Sequence, residues 1–91
     1  MSADPTVREI RDEIIALDRA IVESVNARLE LVARLKEYKL ENGLPFLDPD
    51  RERELLAELA RLNGGPLSEE GLRELVTSVL ELTKRELERG G

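Results

Sequence analysis

Arg11, Arg28 and Lys39 fall along one stretch that reads as a single long helix, set among the apolar positions that would form its buried face. The chain has a net charge of −6, and cations among the core-forming positions of an acidic protein point to a pocket for an anion, not a solubilising surface. At 100° per residue, Arg28 and Lys39 differ by about 20° around a helix, with Val32 and Leu35 in the same stripe between them, so the two cations share a face. Arg11 is about 42 Å along the axis from Lys39, too far for both to hold one small ligand within a single chain. An antiparallel copy of the helix would bring its own Arg11 to the first copy's Arg28 and Lys39.

Further along, Glu52 precedes Leu55, Leu56 and Leu59 by three, four and seven residues, which puts a carboxylate on an apolar stripe, with Arg51 beside it. Thr83 continues the line of Val76, Val79 and Leu80, so a hydroxyl faces inward there. Four cations, one acid and one hydroxyl facing core stripes suit a small, multiply charged anion carrying carboxylates, gripped by bidentate Arg forks. Each residue also has a plainer reading. Arg28 and Lys39 read as rim charges snorkelling from a helix seam, Asp48 as a helix cap, Arg51 and Glu52 as partners of residues one turn away, and Thr83 as bonded to its own backbone.

Cysteine and histidine are both absent, which removes disulfides, thiolate nucleophiles, soft-metal sites and imidazole acid–base chemistry together. Any chemistry falls to Arg, Lys, carboxylates and hydroxyls. The acidic balance and the lack of a basic run exclude a nucleic-acid partner. No apolar stretch approaches the roughly 20 residues of a membrane span. Met-Ser-Ala-Asp-Pro has neither a basic region nor an apolar core, so no signal peptide is expected and the cytoplasm is the expected setting.

These residues must be positioned by helices. With 91 residues, 41% of them hydrophobic, no Trp and only Tyr38 and Phe46 as aromatics, residues 1–91 read as one all-α domain with a core of Leu, Val, Ile and Ala. Thr6-Val7-Arg8-Glu9 fits a capping box, which starts the first helix near Val7. Ile10, Ile14, Leu17, Ile21, Val25, Val32 and Leu35 then recur at helical steps until Asn42-Gly43 supplies a stop, a run of about 52 Å. Leu44-Pro45-Phe46-Leu47 reads as an extended connector, and Asp48-Pro49 as the cap and first position of a second helix that ends near Leu62. Its apolar face is Leu55, Leu56, Leu59 and Leu62. Asn63-Gly64-Gly65-Pro66 breaks the chain, and Ser68 with Glu69 and Glu70 opens a third helix striped by Leu72, Leu75, Val76, Val79, Leu80 and Leu87. Gly90-Gly91 is expected to fray. Two shorter helices cover the long one only if they lie end to end, so a second copy of the chain is the expected cover, with the long helices antiparallel.

The chain resembles the all-helical, AroQ-type chorismate mutases over nearly its whole length. The resemblance rests on Ile10-Arg11-Asp12-Glu13-Ile14-Ile15-Ala16-Leu17-Asp18, on Arg28 followed by Val32, Leu35 and Lys39, and above all on Asp48-Pro49-Asp50-Arg51-Glu52-Arg53-Glu54-Leu55-Leu56. It implies an intertwined homodimer of three-helix chains, with two equivalent sites that convert chorismate to prephenate without metal or cofactor. By position, Arg11 of one subunit and Arg28 of the other would hold the two substrate carboxylates, and Lys39 would bond the ether oxygen. Arg51 would assist at a carboxylate, Asp48 and Glu52 would meet the ring hydroxyl, and Thr83 stands where the family usually has Ser. Four residues after that position the family commonly has Gln or Glu, whereas this chain has Leu87, with Glu86 adjacent but about 100° away around the helix. Short family members with an incomplete C-terminal end depend on the synthase that opens the pathway, so a DAHP synthase partner is an expectation here. The competing readings are isochorismate pyruvate lyase on the same scaffold, a non-catalytic regulatory dimer, and a structural dimerisation domain.

Overall fold

The computed structural model describes residues 4–46 and 48–90, and places three helices and no strand among them. They are α1 (Pro5–Glu41), α2 (Pro49–Leu62) and α3 (Glu69–Gly90). The chain divides into two compact units, Met1–Val32 and Ala33–Gly91, with the boundary inside α1. Among the described residues no helix is long and apolar enough to cross a membrane.

α1 starts two residues earlier than the capping-box reading. The Asp4 carboxylate accepts from the backbone N–H of Thr6 at 2.8 Å and of Val7 at 3.3 Å, and Pro5 takes the first helical position, where a missing N–H costs nothing. An ionised carboxylate that satisfies two orphaned donors displaces the weaker Thr6 hydroxyl as cap. α2 opens the same way: Asp48, in extended conformation, accepts from Arg51 N–H at 3.2 Å, and Pro49 follows.

The end of α1 is a Schellman motif. Gly43 adopts a φ of +67°, Leu44 N–H donates to the Lys39 carbonyl at 2.8 Å, and Gly43 N–H donates to the Leu40 carbonyl at 3.4 Å. The left-handed turn needs glycine because a Cβ there is strained. Asn42 reinforces the turn by donating from Nδ2 to the Tyr38 carbonyl at 2.8 Å. Leu44, Pro45 and Phe46 are non-helical, as expected, and Leu47 lies outside the described residues.

In the unit Ala33–Gly91, α2 packs against α3. Leu72 and Val76 of α3 are each 6% exposed, and Leu55, Leu56, Leu59, Val79, Leu80, Leu82 and Leu87 are half-buried. Leu62 and Leu75, expected on the apolar stripes, are exposed at 68% and 52%. Both fall on faces that the α2–α3 contact does not reach. Between the helices, Asn63 turns the chain by accepting from Gly65 N–H at 3.0 Å and donating to the Leu67 carbonyl at 2.8 Å. Ser68 caps α3 through Gly71 N–H at 3.0 Å. Gly90 continues α3 instead of fraying, and Gly91 lies outside the described residues.

In the unit Met1–Val32, α1 buries no residue. Ile10 and Ile14 are 51% exposed and Leu17 is 66% exposed. The first turns of the apolar stripe are therefore exposed, while Val25, Leu29 and Val32 further along are half-buried.

The two candidate caps of α1 give distinct outcomes. Asp4→Ala is expected to lower stability by about 1 kcal/mol and Thr6→Ala by a few tenths at most, measured by urea unfolding followed by circular dichroism. Equal losses would restore the capping box.

Candidate active site

The turn that closes α1 and the cap that opens α2 each carry residues of the candidate site. Lys39 sits in the last turn of α1, its carbonyl held by Leu44 N–H, and its side chain is half-buried. Its ammonium lies 5.9 Å from the centre of the Phe46 ring, the same distance as the Lys36 ammonium. The connector thus folds an aromatic face back onto the end of α1, within cation–π range.

Asp48 is exposed, and its carboxylate is committed to capping α2. The bland reading of Asp48 as a cap is correct for this chain, and a capping carboxylate keeps further lone pairs for a ligand. Arg51, in the first turn, is exposed with its guanidinium 3.8 Å from Glu54, a loose pair one turn apart that leaves donors of the fork available. Arg53 pairs similarly with Asp50 and Arg61 with Glu58, so the outer face of α2 is a row of exposed ion pairs.

Glu52 behaves differently. Instead of pairing within its helix, its carboxylate lies 3.4 Å from the Lys84 ammonium of α3, across the α2–α3 contact. Lys84 was not foreseen from the sequence, because only the packing of two helices brings it to Glu52. Beside it on α3, Thr83 is buried, 7% exposed, as its place on the apolar stripe predicts. Its hydroxyl donates to the Val79 carbonyl one turn earlier at 2.7 Å, so both the inward-facing and the backbone-bonded readings hold at once.

At the end of α3, Leu87 and Glu86 are half-buried. Glu86 accepts from Arg89 at 3.0 Å, so its carboxylate is already engaged within the last turns. In the other unit, Arg28 is half-buried and Arg11 exposed. Lys39, Asp48, Arg51, Glu52 and Thr83 belong to the unit Ala33–Gly91, and Arg11 and Arg28 to the unit Met1–Val32. Two clefts border α2, and α3 helps to line one of them. One of about 310 Å³ runs between Arg53, Leu56, Ala57, Ala60 of α2 and Glu69, Leu72, Arg73 of α3, and Arg51 contributes to a shallow one along α2.

Three helices and no strand among the described residues define an all-α protein. Residues 10–88 match the family model of chorismate mutase type II, and the chain belongs to that family of isomerases. It is 36% identical to the bifunctional chorismate mutase/prephenate dehydratase of Aquifex aeolicus over 87% of this chain and 24% of that protein. The chain therefore spans about a quarter of the length of that relative. Two crystal forms of the chorismate mutase of Thermus thermophilus superpose with TM-scores of 0.84 and 0.82 at 32% identity, covering 92% and 86% of this chain and 96% and 98% of theirs.

The Glu52–Lys84 bridge is half-exposed on both sides, at 43% and 53%. A double-mutant cycle through Glu52→Gln and Lys84→Met is expected to give a coupling of about 0.2–1 kcal/mol that shrinks in salt. A coupling above about 2 kcal/mol would mean that the pair is desolvated in the working assembly.

Proposed function

We propose that the chain catalyses the rearrangement of chorismate to prephenate, in the synthesis of phenylalanine and tyrosine, as a single domain within an intertwined homodimer. A cytoplasmic setting is part of the same proposal. The observation that carries the reading is the family match over residues 10–88, a span that contains all four cations of the candidate site. Support for the dimer comes from α1, whose Ile10, Ile14, Leu17 and Ile21 are all at least half exposed in the single chain. Covering such a stripe with an antiparallel copy gains about 25 cal/mol per Å² of apolar surface removed from water, and brings the partner subunit's Arg11 to Arg28 and Lys39.

The reaction explains the residue set. A Claisen rearrangement is concerted, with no proton transfer and no covalent intermediate, so the site must fold a flexible dianion into a compact chair. In this reading Arg28 and the partner subunit's Arg11 clamp the two carboxylates, with Arg51 assisting at one of them. As the carbon–oxygen bond breaks, negative charge grows on the ether oxygen, and Lys39 stabilises it more in the transition state than in the ground state. Asp48 and Glu52 contact the ring hydroxyl side, where a carboxylate accepts from the single O–H. Thr83 lines the pocket. This mechanism calls on no metal or cofactor.

Leu87 cannot donate to the ether oxygen. With Glu86 engaged by Arg89, the isolated dimer is expected to work weakly and to gain activity on docking to a DAHP synthase. The same leucine favours the alternative of a regulatory dimer that only tunes a partner enzyme.

Following chorismate absorbance, Lys39→Ala and Arg28→Ala are each expected to lose about 10²–10³-fold in kcat with helicity kept. Mixing unfolded Arg11→Ala and Arg28→Ala chains and refolding them together is expected to restore roughly a quarter of wild-type activity, because half the dimers are mixed and each has one intact site. No recovery would overturn the shared site. Adding purified DAHP synthase is expected to raise turnover, and an unchanged rate would remove that partner.

A further inference from the structure

We infer that Phe46 is a positioning residue for Lys39, holding its ammonium in place before substrate arrives, an inference that rests on the proposed mutase reading. The ring is half-buried and stands where the connector leaves α1, and both Lys36 and Lys39 ammoniums lie 5.9 Å from its centre. Lys39 is the group assigned to the ether oxygen, and a lysine is the least pre-ordered cation available for that task. Its flexible four-carbon stem gives up rotamer entropy when the ammonium is fixed. An aromatic face attracts the ammonium through the ring quadrupole without occupying its N–H groups as a carboxylate would. The charge therefore remains whole for the developing oxyanion, and the N–H groups turned away from the ring remain free to donate.

The two ends of this contact are set independently. The backbone of Lys39 is fixed by the bond from Leu44 N–H to its carbonyl, and the connector that carries Phe46 begins at the Gly43 turn and closes at the Asp48 cap. Among the described residues no carboxylate lies within ion-pair distance of Lys36 or Lys39. Phe46 is then the group that keeps the Lys39 ammonium from ranging through solvent. Lys36, one turn earlier, shares the ring and adds a second positive charge beside the first.

The test compares Phe46→Leu, which keeps apolar bulk and removes the quadrupole, with Phe46→Tyr, which keeps the ring. In the whole 91-residue chain with chorismate, Phe46→Leu is expected to lower kcat about two- to fivefold with KM nearly unchanged, since Lys39 acts at the charge that develops during reaction. Phe46→Tyr is expected to stay at the wild-type value. Proton NMR gives a readout independent of turnover. The ε-methylene signals of Lys36 and Lys39 are expected upfield from ring current in the wild type, and at ordinary positions in Phe46→Leu. Ordinary shifts in the wild type, or a Phe46→Leu enzyme as fast as wild type, would overturn the inference. Upfield shifts in a protein that leaves chorismate untouched would instead retain the contact and overturn the mutase reading.

Discussion

A helix of 37 residues that buries none of them sets the terms for this molecule. Isolated helices gain little in water because nucleation is costly and propagation adds only a small increment per residue, so most helical stability in proteins comes from packing an amphipathic face. In α1 the face exists, with Ile10, Ile14, Leu17 and Ile21 at helical spacing, and each is at least half exposed. α2 and α3 pack on one another, and the buried apolar residues among those described are Leu72 and Val76. Cover for α1 and placement of its cations are thus one problem, because whatever seats the isoleucines also decides what faces Arg11 and Arg28.

Local chemistry decides where each helix begins and ends. Asp-Pro opens both α1 and α2, Ser68 opens α3, and Gly43 closes α1. All of these signals involve residues within five positions of one another, which is why the sequence reading locates the three helices closely. The one misplaced start is instructive. Thr6 and Glu9 satisfy the capping-box pattern, but a carboxylate followed by proline two residues earlier competes for the same N–H groups and wins.

Longer-range features are legible only in part. Periodicity correctly puts Thr83, Leu72 and Val76 on the inner face of α3, because a face is a property of one helix. It cannot say how far the neighbouring helix extends, so Leu62 and Leu75 read as core and stand exposed. The same limit hides Lys84 opposite Glu52 and the Phe46 ring beside Lys36 and Lys39. None of these pairings follows a helical period. Conversely, Asp48 reads as a cap and is one, and any role toward a ligand is carried by the lone pairs that capping leaves over.

The Schellman turn and the Asp48 cap have a consequence for transplantation. Residues 38–52 start with the Tyr38 carbonyl that receives Asn42 and finish with Glu52, whose N–H reaches back to the Asp48 carbonyl. Within that span lie Lys39, Phe46, Asp48, Arg51 and Glu52, bounded at each end by hydrogen bonds the segment makes with itself. It is a self-terminating cassette, a unit that a designer can graft between two helices of another bundle without importing the rest of the chain.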